Sequence, residues 1–178
     1  MYYDGIVEGR YVDLKSVTVE DAEFTRNIRR DPDFAKFFPP LDNTVEQQKN
    51  WIISQQKKEG DYFFVVWDKS GNPIGTIAVY DIEERSCESG RLAIKGNAFQ
   101  STEAQLLIFK FAFEYLNVDT VVGYIFADNE RAIRFNKQFG CELEEPVMHD
   151  NGHYMVKATY TKGAVEKASA KITRMMYR

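Results

Sequence analysis

The stretch "IKGNAFQSTEAQLLIFKFAFEYL" (residues 94–116) leaves the end of a strand, crosses a short polar loop and enters a long helix rich in aromatic side chains. After it, "TVVGYIF" (120–126) carries the β-branched and aromatic residues of a buried strand. A strand, a long helix and a second strand form a right-handed crossover, which makes the two strands parallel neighbours. The junction from strand to helix is also where free N–H groups and the helix dipole favour an anion. Only one glycine, Gly96, stands in this loop, so it reads either as a phosphate cradle or as a plain connection.

Working outward from this junction, the helix is expected over residues 102–116 and a strand over 88–95. "YFFVVW" (62–67), the turn "DKSGNP" (68–73) and "IGTIAVYDI" (74–82) read as an antiparallel pair. Further upstream, "RYVDLKSV" (10–17) alternates apolar and polar residues as a half-buried strand does. Thr18 with Asp21 and Thr44 with Gln47 have the spacing of capping boxes and open two helices, the first stopping at Asp31-Pro32 and the second reaching about Lys58. Between them, "FFPPLDN" (37–43) cannot be helical across two prolines. Downstream, "DNERAIRFNKQFG" (128–140) is a short helix with Asp128 or Asn129 at its cap and Gly140 past its end. "CELEEPVM" (141–148) and "HYMVKATYT" (153–161) are two last strands joined through Asp150-Asn151-Gly152. The expected class is mixed α/β: a central mixed sheet with helices on both faces, in one domain over 1–178, with a core at about 10–161 and a basic tail at 162–178.

Composition narrows the function. With 178 residues and 44% apolar content the chain can bury a substantial core. Its 23 basic and 27 acidic residues give a net charge of −4, so no global field draws in nucleic acid. No uncharged apolar run spans a bilayer and "MYYDGIVEGR" lacks the pattern of a signal peptide, so no membrane association and a cytoplasmic protein are expected. Cys87 and Cys141 lie in unlike contexts and read as reduced packing residues. His149 and His153 flank a turn, which is poor spacing for a metal, and none is expected.

The order of elements, with "IGTIAVYDIEERSCESGRLAI" (74–94), "TEA" (102–104) and "FAFEYLNVDTVVGYIFADNERAIRFNKQFG" (111–140), resembles the GCN5-related N-acetyltransferase (GNAT) family over residues 11–161. The resemblance implies the acyl-CoA N-acyltransferase fold and transfer of an acetyl group from acetyl-CoA to a primary amine. It is closest to the subgroup of ribosomal-protein N-terminal and amino-sugar acetyltransferases. By the same resemblance, backbone groups of Leu92, Ala93 and Ile94 hold the pantetheine arm and thioester. The pyrophosphate would lie over Gly96, Asn97, Ala98, Phe99, Gln100, Ser101 and Thr102, with Asn97 and Phe99 where relatives carry glycines. Asn129 and Phe135 would also face the cofactor. Glu88 is the candidate base, and a solvated strand end is its bland alternative. Asn136 stands where many relatives carry the Tyr that serves the leaving thiolate, and an amide cannot act as a general acid.

Phe38, Trp51, Arg91 and His153 are the candidate acceptor contacts. The first two offer apolar and aromatic walls and Arg91 offers a partner for a phosphate. A nucleotide-linked amino sugar or other small amine leads as acceptor. A protein N-terminus, and a non-catalytic member that only binds a ligand or partner, are the alternatives. The tail cations Lys162, Lys167, Lys171, Arg174 and Arg178 form a solvated helix face or an anionic-ligand or partner surface. Monomer and homodimer are both open.

Overall fold

A computed structural model describes residues 1–177; Arg178 of the basic tail lies outside the described residues. The chain divides into two compact units, Met1–Asp81 with Gly90–Ile108, and Ile82–Ser89 with the chain from Phe109 onward.

The first unit holds β1 (Ile6–Glu8), β2 (Val12–Ser16), a 3-10 turn (Val19–Asp21), α1 (Ala22–Arg30), α2 (Pro32–Ala35), α3 (Val45–Lys57) and β3 (Tyr62–Asp68). To these it adds most of β4 (Pro73–Glu83), the second half of β5 (Ser86–Ile94) and most of α4 (Ala98–Lys110). Its strands neighbour one another in chain order. The β1/β2, β2/β3 and β3/β4 pairs are antiparallel, with Leu14 opposite Val7 and Val66, and Phe64 opposite Ile77. Tyr62, Phe63, Phe64, Val65 and Val66 are all buried, so β3 has no solvent face and its run is continuously apolar. Both expected capping boxes are present, Thr18 with Asp21 and Thr44 with Gln47. The first opens the 3-10 turn that leads into α1 and the second opens α3; α1 and α3 meet through Gln48 Nε2 donating to Thr25 Oγ1 at 3.1 Å. Val17, Ala22, Ile52, Phe63, Val65 and Ala78 make up a core cluster there. Full burial of one such large side chain stabilises the fold by about 1.5–3 kcal/mol.

The second unit holds the start of β5, the end of α4 with its π-helical turn (Phe111–Tyr115), β6 (Thr120–Phe126), α5 (Glu130–Lys137), β7 (Glu142–Leu143), β8 (Val147–Met148), β9 (Tyr154–Thr161) and α6 (Lys162–Met176). The expected parallel pair is present: Ser86, Cys87 and Glu88 of β5 lie opposite Thr120, Val121 and Val122 of β6. β6 pairs over its whole length with β9, antiparallel, from Thr120 opposite Thr161 to Phe126 opposite Met155. Phe109, Phe139 and Tyr160 are wholly or almost wholly buried, with Phe109 4.8 Å from the Tyr160 ring and 5.6 Å from Phe139. The mixed sheet flanked by helices agrees with the expected class.

Four elements depart from expectation; one is the short α2, which starts at Pro32 just where the first helix was expected to stop, proline being tolerated at a first helical position. α4 begins at Ala98, four residues before position 102, because Asn97 already caps it. The strand expected over 141–148 is two short pieces separated by a stretch containing Pro146, which has no N–H to donate to a ladder. β1 was not anticipated: three residues with an exposed, half-buried, exposed pattern carry too little periodicity to read.

Candidate active site

The turn from β5 into α4 is closed by reciprocal side-chain caps. Gln100 N–H donates to Asn97 Oδ1 at 3.0 Å, and Asn97 N–H donates to Gln100 Oε1 at 2.9 Å. This is the capping-box arrangement, with Asn in place of Ser or Thr. A Cβ at Gly96 would stand 2.8 Å from Gln100 Oε1, so a larger residue there would push the Gln100 side chain out of this reciprocal cap. Neither Asn97 nor Phe99 takes the left-handed backbone that a replaced glycine would suggest; the non-glycine residues with positive φ are Asp81, Arg91 and Asn117. Phe99 sits inside the first helical turn, about half exposed, and stacks on Tyr11 at 5.5 Å. The amides of Ala98 and Phe99 fall among the first four of the helix, which have no intrahelical partner. The turn thus keeps donors and the positive end of the dipole for an anion without a run of glycines.

The same unit shows how the α4 start is held. Glu103, 2% exposed, accepts from the backbone N–H groups of Arg10, Tyr11 and Val12 at 2.9, 2.6 and 2.8 Å. Gly9 belongs to this clasp, since a Cβ there would stand 2.5 Å from Glu103 Oε2. Glu103 is legible in the sequence only as part of "TEA"; a carboxylate nearly two helical turns past the cap gives no local sign of partners some ninety residues away.

Leu92, Ala93 and Ile94 close β5, and Lys95 N–H donates to Ile74 O at 2.7 Å. Just before them, Arg91 has φ 51°, which kinks the strand. Its guanidinium is bidentate on Asp61, at 2.6 and 2.7 Å. It also lies 5.4 Å from the Trp51 and Phe63 ring centres and 4.6 Å from that of Tyr80. Asp61 is 1% exposed and takes a further bond from Gln55 Nε2 at 2.9 Å. Burial works against the Asp61 carboxylate, but Arg91 and Gln55 outweigh it and hold its pKa below the ordinary value. Arg91, expected to meet a phosphate, therefore meets a buried carboxylate with two of its N–H groups. Asp61 stands just before β3 in "GDYFF" and was missed, because nothing local marks an aspartate as the partner of an arginine thirty positions on.

Trp51 is 38% exposed and, with Arg91, lines a hollow of about 440 Å³. Phe38 is half-buried under the Arg29 guanidinium, 5.3 Å from its ring centre. In the second unit, His153 is exposed at the end of a turn, its ring 4.8 Å from that of Phe126. Trp51 and Arg91 are thus brought together; Phe38 and His153 are not among the residues lining their hollow.

Also in the second unit, Glu88 is half-buried opposite Val122, next to Cys87. The Cys87 thiol is pushed up to about 12, by burial first and by the Glu88 charge second, which removes it as a nucleophile near neutral pH. Asn129 caps α5, its Oδ1 accepting from Ala132 N–H at 3.1 Å. Phe135 stands edge-on to Phe139 at 5.2 Å, so it supports the core beneath α5. One turn on from Ala132, Asn136 donates from Nδ2 to Ala132 O at 2.8 Å and accepts at Oδ1 from the Tyr160 hydroxyl. These two contacts fix which way the amide faces and leave the second Nδ2 hydrogen for another acceptor. Tyr160, from β9, was not anticipated; its phenol is pushed up by burial and by Cys141 and stays protonated.

With this geometry in hand, comparison with known proteins is specific. Residues 12–142 match the family model described as an acetyltransferase (GNAT) domain. Two curated relatives are acetyltransferases named PseH from Campylobacter jejuni. The one from serotype O:2 is 32% identical over 111 residues, 62% of this chain and 69% of the relative. The one from serotype O:23/36 is 30% identical over 126 residues, 67% of this chain and 75% of the relative. Among solved structures, apo FdhC, described as a nucleotide-linked sugar GNAT, superposes with a TM-score of 0.83 at 18% identity, covering 98% of this chain and 99% of its own. A spermidine N-acetyltransferase from Vibrio cholerae in complex with CoA and spermine gives 0.78 at 15% identity, covering 88% and 98%. No helix among the described residues is long and apolar enough to cross a membrane. The strand-to-helix turn, the order of elements and the matched domain agree: this chain belongs to the GNAT acetyltransferase family and is an N-acetyltransferase.

Proposed function

We propose that the chain transfers the acetyl group of acetyl-CoA to the primary amine of a nucleotide-linked amino sugar by direct attack. The single observation that carries cofactor use is the turn over residues 92–102, where the Asn97–Gln100 cap leaves the Ala98 and Phe99 amides at the start of α4. The likeness to FdhC, described as a nucleotide-linked sugar GNAT, supports the sugar acceptor over a protein N-terminus.

Acetyl-CoA supplies the activated acetyl group. Leu92, Ala93 and Ile94 present backbone groups along the pantetheine arm, the first turn of α4 takes the pyrophosphate, and Asn129 and Phe135 complete the cofactor side. Glu88 receives the amine proton, directly or through water, as the amine nitrogen bonds to the acetyl carbon and the carbon–sulfur bond breaks. A carboxylate suffices for an amine of modest basicity, since an α-amine near ~7.7–8 is already partly neutral at pH 7 while a lysine amine near ~10.4 is not. Asn136, with its amide fixed by Tyr160 and Ala132 O, offers its remaining Nδ2 hydrogen to the departing sulfur. A thiol of pKa ~8.5 needs no strong acid to leave. On the acceptor side Trp51 offers the aromatic wall, and Arg91, paired with Asp61, holds that wall in place.

The test joins binding to turnover. Acetyl-CoA should raise the melting temperature as RT ln(1 + [L]/Kd) requires. Thiol release should follow addition of a nucleotide-linked amino sugar. Stabilisation by acetyl-CoA with turnover only of peptide N-termini would replace the sugar by a protein acceptor.

A further inference from the structure

The hollow beside α3 has features that its role as an acceptor wall does not use. Trp51, Gln55, Lys57, Lys58, Asp61 and Arg91 line it. Gln55 is 5% exposed; its Nε2 is committed to the Asp61 backbone oxygen at 2.8 Å and to Asp61 Oδ1 at 2.9 Å. Both of those partners are acceptors, so the amide orientation is fixed and Oε1 must be the acceptor end. Gln55 Oε1 is buried and has no partner among the described residues. A buried acceptor without a donor costs free energy unless a ligand or water supplies one.

The charge of the hollow is cationic. Lys57, Lys58 and Arg91 face it against the single carboxylate of Asp61, which Arg91 already engages through both oxygens. Lys58 Nζ stands 3.7 Å from both Asp61 and the exposed Asp81, so it is loosely held and able to turn to another anion. Lys57 is exposed in the last turn of α3, with no ion pair among the described residues. Trp51 has Arg91 over its ring and Phe63 edge-on at 5.7 Å, yet keeps 38% of its surface open. A polyamine would meet like charge here. Inorganic phosphate alone would leave the Trp51 face and the Gln55 acceptor unused.

We infer that this hollow is the seat of a nucleoside diphosphate, with the base on Trp51, a base N–H donating to Gln55 Oε1, and the phosphates against Lys57 and Lys58. Base stacking on an aromatic ring, a hydrogen-bond acceptor for a base edge and mobile cations for phosphate are the three elements such a ligand needs. The inference rests on the proposed function in that the nucleotide is the carrier half of the acceptor. At about 440 Å³ the hollow is within the usual range for small-molecule sites. Arg91 does not take a phosphate itself. It holds Asp61 and Trp51 in place, and so acts as a positioning residue.

The test is calorimetric titration of UDP, uridine and ribose 5-phosphate into the protein saturated with CoA, so that the cofactor site is not available to the nucleotide. UDP should bind more tightly than either fragment. Trp51→Ala should weaken UDP roughly tenfold or more, as loss of one base–aromatic stack does. Lys57→Ala should weaken UDP while leaving uridine unchanged, and because it touches no core it keeps the test decisive if Trp51→Ala fails to fold. Absence of UDP binding, or UDP binding unaltered in Lys57→Ala, overturns the inference. A missing acetyl-CoA melting shift would instead overturn the proposed function, and UDP binding in the CoA-free protein would then still report on the seat.

Discussion

Replacing Glu103 tests whether the start of α4 is held from outside the helix. The carboxylate accepts three backbone N–H groups of the turn over residues 10–12, and Val12 is wholly buried. In Glu103→Ala the amides of Arg10 and Tyr11, in partly exposed residues, can turn to water, whereas Val12 N–H is left in the interior. A buried donor without a partner costs about 1–3 kcal/mol, and each bond to a charged acceptor contributes about 1.5–3 kcal/mol, part of which water restores. The sum is about 4 kcal/mol, or roughly 10 °C in Tm for a chain of this size. Glu103→Gln keeps one acceptor but turns an NH₂ toward donors, and should lose about half as much. Thermal and urea unfolding followed by circular dichroism at pH 7 measure both variants. A loss below about 1 kcal/mol for Glu103→Ala would show that the clasp contributes little net stability and that the α4 start is held by its own cap.

Three further outcomes are expected. Glu88→Gln should lower turnover by roughly 10²–10⁴-fold, the usual span of general-base catalysis, and leave the acetyl-CoA melting shift intact; equal turnover removes Glu88 from the reaction. Asp61 is depressed in the folded state, so its contribution to stability is present above the unfolded carboxylate value and is lost as pH falls through the lower folded value. Asp61→Asn leaves Arg91 unpaired and should cost about 3–5 kcal/mol at pH 7, less in strong acid; a penalty that does not shrink with falling pH, read from urea unfolding across pH, contradicts that linkage. Cys87 is buried with its thiol pushed up to about 12, so iodoacetamide at pH 8 should leave Cys87 unmodified by mass spectrometry and turnover intact. Fast labelling of Cys87 with loss of activity would reopen an acyl-cysteine route.

What could be read from the sequence was what the chain decides locally. The caps at Thr18 and Thr44 need partners three residues away, and both formed. The parallel β5/β6 pair follows from one helix between two strands, and it formed. The start of α4 was equally local, and the signal was present in "NAFQ": Asn97 and Gln100 have capping-box spacing. It was missed because Asn97 and Phe99 were weighed as substitutes for glycines, which presumes that the backbone there is left-handed. The residues that shape the candidate site otherwise act at long range. Asp61 meets Arg91 across thirty positions, Tyr160 meets Asn136 across twenty-four, and Glu103 reaches Arg10 across ninety-three. In each case a charged or hydroxyl group is placed by strand register or helix packing, and its own neighbours in sequence say nothing of the partner. The strained φ of Arg91 is the clearest instance. No β-propensity favours a left-handed arginine in a strand, and it persists because Asp61, Trp51, Phe63 and Tyr80 together fix where its guanidinium lies. Such strain carries weight as a sign of function because it costs free energy that a plain strand would not incur. It stands at the edge of a hollow where a buried acceptor, open aromatic surface and loosely held cations coincide.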